Sequence, residues 1–186
     1  MAIIEIPKAE THSIYLRMFS LDDTEKVFQM SIENGIKEWI PDQVYNDQTH
    51  AKEVLEFLIQ QYDDCSGPDK IPIVFGVCLK SNNELIGHVG LSPYSENAEI
   101  GYAIEKAQQN KGFATEAILA MTKWAFRKFN LPFILGIVSA ENIGSCRALE
   151  KANFALENEE RKILHNKNTL VRTYKSYMAG VGFARM

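Results

Sequence analysis

The sequence predicts a mixed α/β fold, with a central mixed, mostly antiparallel sheet of about seven strands flanked by about four helices. Two observations carry this prediction. The spacing of apolar residues switches along the chain between the period of a helix and that of a strand, and the elements follow the order β α α β β β α β α β β. In addition, a strand–loop–helix–strand unit over residues 98–140 should place its two strands side by side and parallel through a right-handed crossover.

One strand and two helices are predicted in the first third of the chain. The strand lies near residues 13–18, and the first helix, over 22–34, has a candidate N-cap in Asp22 or Asp23. The segment IKEWIPD then interrupts the helical pattern. The second helix covers about residues 49–62, where apolar side chains recur at helical spacing.

Three strand-like segments follow, over residues 72–80, 84–93 and 98–104. Ser81, Asn82 and Asn83 predict a hairpin turn between the first two of them. The three segments should therefore form an antiparallel meander.

The rest of the chain predicts two more helices and three more strands. A long helix begins at Gly112 or Ala114 and ends near Phe129. It is followed by a buried strand over 132–140, a helix over 142–152, and strand-like segments near 161–164 and 170–178.

The composition is that of an ordinary globular protein. The 186 residues are 46% apolar and 24% charged, and no repeat or Pro/Gly-rich linker divides them, so one domain over residues 1–186 is expected. A net charge of −4 gives no basic stripe that would attract nucleic acid. No window approaches the roughly 18 apolar residues of a membrane span, and the first residues lack a signal-peptide pattern. A cytoplasmic protein with no nucleic-acid or membrane partner is expected.

The cysteines and histidines indicate neither disulfides nor a metal site. Cys65, Cys78 and Cys146 are odd in number and widely spaced, which favours reduced thiols. The four histidines are equally scattered, and His88, within a strand, is interpreted as structural rather than as a base. No metal cofactor is expected.

The stretch AQQNKGFATEA, residues 107–117, places a glycine at the entrance of the long helix. A helix N-terminus preceded by a turn of small residues presents free backbone N–H groups and the positive end of the helix dipole, which together favour phosphate. The donors would be the backbone groups of Lys111, Gly112, Phe113, Ala114 and Thr115. The stretch is neither a Walker A loop nor a Rossmann loop, and alone it also fits an ordinary helix start.

Together with the rest of residues 84–154, this stretch resembles the acetyl-CoA-dependent N-acetyltransferases of the GNAT superfamily. The most similar branch contains the ribosomal-protein-alanine (Rim-type) N-acetyltransferases, and the resemblance covers about residues 13–178. The family's pyrophosphate loop, Q/R-x-x-G-x-G/A, is matched by Gln109, Gly112 and Ala114. The N-x-x-S element on the following helix is matched by Asn142 and Ser145.

The resemblance implies acetyl-CoA as cosubstrate, bound where the strand over 98–104 splays from the strand after the long helix. Backbone groups around Tyr102, Ala103 and Ile104 would bind pantetheine, with the thioester in the gap. Many family members have glycine where this chain has Asn110, and Asn153 replaces the glycine of the family's G-F pair. Asn tolerates the left-handed backbone region better than most residues, so we expect both turns to keep the glycine-like conformation.

Acetyl transfer to an amine needs a neutral amine, a stabilised oxyanion and a proton for the departing thiolate. Glu99 is the candidate base, acting through water, because strand alternation places it opposite Ala98 and Ile100; a solvent-facing carboxylate is the alternative. Many family members protonate the thiolate with a tyrosine, but the corresponding residue here is Leu149. The resemblance therefore implies Ser145 as the proton donor. Alternatively, Ser145 only caps its helix. Asn142 would contact the pantetheine amides, cap the same helix, or do both.

The acceptor is narrowed but not identified. Trp39 and Tyr45 fall in the family's variable acceptor-binding region, where they would either wall a groove or pack in the core. At pH 7 an α-amino group is about 10–15% neutral and a lysine only about 0.04%, which favours a peptide N-terminus or a weakly basic small amine. The acidic residues between 33 and 47 would suit a cationic acceptor, so acetylation of a polyamine or an antibiotic is the first alternative. The second alternative is a non-catalytic protein that senses acyl-CoA. A monomer or homodimer is expected.

Overall fold

A seven-stranded sheet forms the centre of the computed structural model, which describes residues 11–64 and 66–178. Its strands lie in the order β1-β2-β3-β4-β5-β7-β6, and all neighbours are antiparallel except β4 and β5. The strands are β1 (Ile14–Arg17), β2 (Ile73–Leu79), β3 (Leu85–Tyr94), β4 (Asn97–Ile104), β5 (Phe133–Ser139), β6 (Ala155–Leu164) and β7 (Lys167–Tyr177). The predicted mixed, mostly antiparallel sheet is confirmed.

The described residues contain five α-helices, one more than the sequence predicted. They are α1 (Thr24–Ser31), α2 (Asn34–Trp39), α3 (Gln48–Gln60), α4 (Phe113–Lys128) and α5 (Ile143–Lys151). The additional helix is α2, which forms within the segment interpreted as an interruption. It ends before Pro41, where a short 3-10 turn begins, because proline disfavours helical backbone at the preceding residue.

The predicted N-cap position of the first helix is confirmed at Asp23, but no side-chain capping hydrogen bond forms there. The Asp23 carboxylate instead accepts two hydrogen bonds from the Arg17 guanidinium, at 2.6 and 2.7 Å, and one from the Ser20 N–H at 2.9 Å. The Asp23 carboxylate therefore pairs with Arg17 of β1 and with the Ser20 N–H, and not with the first N–H groups of α1.

The helices form two layers, one on each face of the sheet. Ile118 and Met121 of α4 and Leu149 of α5 join the large core cluster with Phe75 and Val89. On the other face, Met30 of α1 and Leu55 of α3 pack with Cys78 and Leu85. Apolar side chains of β2 and β3 pack against both layers, because successive residues of a strand point to opposite faces of the sheet.

β4 and β5 are parallel neighbours that separate after a short ladder. They share two residue pairs, Ala98 with Ile134 and Glu99 with Leu135. β4 then continues to Ile104 and β5 to Ser139 without further pairing between them. The predicted parallel crossover is confirmed, and the strands open a gap at their carboxyl ends.

Among the residues that the structure describes, no helix has the length and apolarity needed to cross a bilayer. Cys78 and Cys146 are buried free thiols. Cys65 and the tail AGVGFARM lie outside the described residues.

Candidate active site

The entrance of α4 has the backbone conformation expected from a phosphate-binding turn. Gly112 has φ 87° and Asn110 has φ 61°, so both lie in the left-handed region. The glycine-like conformation expected at Asn110 is confirmed, as is that of Asn153, with φ 65°. A Cβ at Gly112 would meet nothing within 4 Å, so its dihedral angle, rather than crowding, requires the glycine.

Side chains of the loop fold back on its own backbone. The Gln109 amide donates to the Ile104 carbonyl at 2.9 Å. The Lys111 ammonium donates to Gln108 Oε1 at 2.8 Å and to the Ala107 carbonyl at 3.1 Å. The first N–H groups of α4, including those of Phe113, Ala114 and Thr115, have no acceptor within the helix. The turn therefore presents backbone donors and the positive helix end together, and this fits a pyrophosphate.

The gap between β4 and β5 is bordered by the start of α5. The Tyr102 hydroxyl, on β4, donates to the Ser145 carbonyl on α5 at 3.0 Å and so connects the two elements. Asn142 Oδ1 accepts the Ser145 N–H at 3.1 Å, so the structure has Asn142 as the cap of α5. Asn142 thus caps the N-terminus of α5 through the Ser145 N–H. Asn142, Ser145 and Tyr102 lie beside the gap between β4 and β5.

Leu149 packs where many family members have the tyrosine. Its side chain is 2% exposed and lies over Gly136 of β5, where a Cβ would be 2.9 Å from Leu149 Cδ2. Glycine at 136 therefore accommodates the leucine. The buried Cys146 is directed to the Ser139 carbonyl at 3.8 Å, consistent with a structural thiol.

Glu99 is a half-buried carboxyl at the point where β4 and β5 part. Burial raises the pKa of Glu99 to about 7, and the positive charge of Lys162 opposes this rise only in part. Its strand neighbours Ala98 and Ile100 are buried on the opposite face. Because side chains alternate along β4, Glu99 lies on the same face of the sheet as Gly101 and Ala103. With a pKa of about 7, the Glu99 carboxyl is only partly ionised at neutral pH.

A cavity of about 300 Å³ lies on that same face, between the sheet and helices α1, α2 and α3. Its floor is formed by His88, Gly90 and Ser92 of β3 and by Gly101 and Ala103 of β4. Ala103 pairs with His88, Gly101 with Gly90, and Glu99 with Ser92. The Glu99 side chain therefore adjoins the floor, although Glu99 is not one of the residues lining the cavity.

The walls of the cavity are mainly apolar, with acidic groups between them. The apolar side chains come from α1, α2, α3 and the adjoining strands and turns: Phe19, Val27, Met30, Ile36, Val54, Leu55, Phe57, Leu58, Pro72, Val74 and Ile104. The carboxylates are Glu33, Asp42 and Glu105. A cavity of this chemistry suits a small cation with an apolar portion.

Sequence reasoning missed His88 and the glycines as parts of the cavity. Burial lowers the pKa of His88 to about 4, so its ring is neutral at physiological pH. The available signal was the repeated glycine of the segment ELIGHVGLSP, because glycine within a strand marks a close approach of another chain or a ligand.

The two aromatic residues of the predicted acceptor region have different positions. Tyr45 lines the cavity and meets the His50 ring edge-on at a centroid distance of 5.2 Å. Burial raises the pKa of Tyr45 above its ordinary value. Trp39, at the end of α2, is half-buried and is not among the residues lining the cavity.

Within residues 11–64 and 66–178, no cluster of three or more His, Cys, Asp or Glu side chains could hold a metal ion. Acetyl-CoA, in contrast, fits the donors that the chain presents. The helix entrance provides unsatisfied backbone N–H groups, and the gap between β4 and β5 provides an unpaired strand edge.

Comparisons with known proteins agree with this geometry. Residues 13–155 match the family described as acetyltransferase (GNAT) domain. The probable N-acetyltransferase YjcK of Bacillus subtilis is 31% identical over 81% of this chain and 84% of that protein.

Solved structures share the fold at lower identity. The ribosomal-protein-S5-alanine acetyltransferase from Vibrio fischeri has a TM-score of 0.77 at 20% identity, covering 92% of this chain and 96% of that one. RimL, a ribosomal α-N-protein acetyltransferase in complex with coenzyme A, has a TM-score of 0.78 at 16% identity, covering 94% and 98%. With the family match extending over most of the sequence, the chain belongs to the GNAT acetyltransferase family and is an acetyl-CoA-dependent N-acetyltransferase.

Proposed function

We propose that this enzyme acetylates the α-amino group of a peptide or protein N-terminus, by direct transfer from acetyl-CoA in a ternary complex. The observation that carries the proposal is Glu99, whose pKa of about 7 makes it a base matched to an α-amine. In this proposal the whole chain acts as one catalytic domain in the cytoplasm.

The match can be given a magnitude. Moving a proton from an α-ammonium to a carboxylate with a pKa of about 7 is uphill by only about 1 kcal/mol, whereas a lysine ammonium would require about 5 kcal/mol. A glutamate with an ordinary pKa would face about 5 kcal/mol even with an α-ammonium. Burial of Glu99 therefore favours an α-amine over a lysine side chain.

Each part of the site has a role in this proposal. Backbone N–H groups from Lys111 to Thr115 would bind the pyrophosphate, and backbone groups around Tyr102 to Ile104 would bind pantetheine. Acetyl-CoA supplies the activated acetyl group as a thioester. Glu99 would accept the amine proton through water, and Ser145 would provide a proton to the departing thiolate.

A small-molecule amine is the second candidate, and the cavity supports it. Its volume of about 300 Å³ lies at the lower end of the range of small-molecule sites. Three carboxylates, Glu33, Asp42 and Glu105, line it and would attract a cationic amine. A polyamine or a cationic antibiotic would therefore compete with a peptide N-terminus as the natural acceptor.

The test is an acceptor panel scored by release of CoA from acetyl-CoA. It should contain tetrapeptides with free N-termini, the same peptides with blocked N-termini and one internal lysine, a polyamine, and an aminoglycoside. We expect turnover of the free N-termini at neutral pH and little with the lysine peptides. Turnover confined to the polyamine or the aminoglycoside would replace the proposal with the small-molecule candidate. CoA binding without turnover of any acceptor would favour a sensor.

A further inference from the structure

We infer that the acceptor carries a bulky apolar group next to its amine, and that Gly101 is the specificity-determining residue that makes room for it. This inference rests on the proposed function, because it concerns the acceptor of the same site. In a peptide acceptor, the apolar group is the side chain of the first residue.

The wall of the cavity opposite the sheet is apolar. Val27 and Met30 of α1 face it from one side, and Val54, Phe57 and Leu58 of α3 face it from the other. Phe57 is 49% exposed, although it is a large apolar side chain. Such a wall gains free energy by burying an aliphatic or aromatic group, and it offers nothing to an alanine or glycine that could not reach it.

Gly101 lies in the floor of the cavity, and the fold does not explain why it is glycine. Its φ is outside the left-handed region, and a Cβ built on it would meet nothing within 4 Å. Its floor neighbour Gly90 is different, because a Cβ there would be 2.7 Å from Val74 Cγ2 and 2.8 Å from the Ile73 carbonyl. Glycine within a strand is destabilising by roughly 0.5–1 kcal/mol, so its presence at 101 indicates a close approach by a ligand.

The charged groups of the cavity favour a cationic acceptor. Each carboxylate of the cavity is already engaged: Glu105 with the Lys26 ammonium at 2.7 Å, Asp42 with His165 Nδ1 at 2.7 Å, and Glu33 with the Lys106 N–H at 2.9 Å. No lysine or arginine from the described part of the chain lines the cavity. The cavity therefore keeps a negative potential that favours a cationic amine, and a second ammonium group could reach Glu105 only by displacing Lys26.

The expected consequence is a preference for the first residue of the acceptor. Burying a leucine or phenylalanine side chain is worth about 10- to 100-fold in affinity relative to leaving it exposed. Peptides beginning with Leu, Met or Phe should therefore be better acceptors than otherwise identical peptides beginning with Gly, Ala or Ser.

The experiment measures binding and turnover separately, with the full chain. Calorimetric titration in the presence of saturating CoA compares phenylalaninamide, leucinamide and glycinamide, and turnover compares the matching tetrapeptides. Gly101→Val fills the floor of the cavity at a position where a β-branched residue suits the strand. Gly35→Ala is the matched control, because a Cβ there also meets open space but lies outside the cavity.

We expect the two apolar amides to bind the wild type at least tenfold more tightly than glycinamide. Gly101→Val should lower the preference for Phe and Leu at least tenfold with an unchanged or higher melting temperature, and Gly35→Ala should leave the preference unchanged. Equal use of Ala and Leu peptides would overturn this inference and leave the proposed function intact. Selective binding of apolar amides without turnover of any peptide would leave the inference intact and overturn the peptide acceptor. Failure of every amide to bind, with no first-residue preference, would overturn the inference.

Discussion

At the level of single residues, the chemistry of Glu99 is set by burial rather than by a charged partner. Strand alternation predicted which face it occupies, because Ala98 and Ile100 on either side are apolar. Its pKa of about 7 could not be predicted from sequence, because it depends on how far the folded chain excludes water from the carboxyl and on the position of Lys162 in β6.

This environment has a consequence for stability. A carboxyl with a folded-state pKa of about 7 and an ordinary value of 4.5 binds its proton more tightly in the folded protein. The folded state is therefore favoured by Glu99 below about pH 4.5, and this contribution is lost as the pH rises through 7. We expect Glu99→Gln to melt at the wild-type temperature at pH 4 and at a higher temperature at pH 8, as measured by scanning calorimetry.

The same substitution should lower kcat/KM by about 100-fold or more, because general base catalysis typically contributes that much. The part of the wild-type pH profile with an apparent pKa near 7 should also disappear from the variant, and the rise that follows deprotonation of the acceptor amine should remain. Glu96→Gln is the control, since Glu96 is an exposed carboxyl in the turn before β4. Wild-type kinetics in Glu99→Gln would show that Glu99 is not the base.

At the level of elements, the entrance of α4 was the most predictable part of the site. Gly112, Asn110 and the N-x-x-S element supplied both the backbone conformation and the expected ligand from sequence. Helix α2 was the least predictable, because Gly35 and Pro41 at its two ends are breakers and it is only six residues long. None of its residues is buried, and it contacts α1 and the 3-10 turn over Pro41–Gln43, so these neighbours support it more than its own propensity does.

The conformation of Asn110 gives a prediction for the loop. Replacing it by glycine should leave the melting temperature and CoA affinity nearly unchanged, because glycine adopts φ of 61° without strain. Replacing it by alanine should cost about 1 kcal/mol of stability and weaken CoA binding, since the left-handed region is unfavourable for alanine. Urea unfolding and calorimetric titration with CoA measure the two effects.

Asn130→Ala is the matched control, because Asn130 is exposed at the end of α4 and its φ is not positive. It should change stability by less than about 0.5 kcal/mol. If alanine were tolerated at 110 as well as at 130, the loop would not depend on its left-handed residue.

At the level of the whole molecule, we propose separate tasks for the two layers of helices on one sheet. Helices α4 and α5 border the proposed cosubstrate site, and α1, α2 and α3 cover the proposed acceptor cavity. The sequence could predict the first task because its motifs are local, within residues 107–145. It could not predict the cavity, whose lining joins residues from Phe19 to Glu105 through packing of distant elements.

Because the proposed CoA site joins β4, α4 and α5, ligand binding should stabilise the protein as a unit. At a CoA concentration of 100 times its Kd, the free energy of unfolding should rise by about 2.7 kcal/mol, which corresponds to roughly 5–11 °C for a chain of this size. Gly112→Asp should remove most of this shift by placing a carboxylate at the pyrophosphate position, whereas Gly112→Asn, of the same size and similar left-handed tolerance, should retain more of it. Differential scanning fluorimetry with CoA measures these shifts. If both variants lose the stabilisation by CoA equally, the loss comes from the backbone conformation at residue 112 and not from the added charge. If millimolar CoA does not raise the melting temperature of the wild type, CoA does not bind at this site.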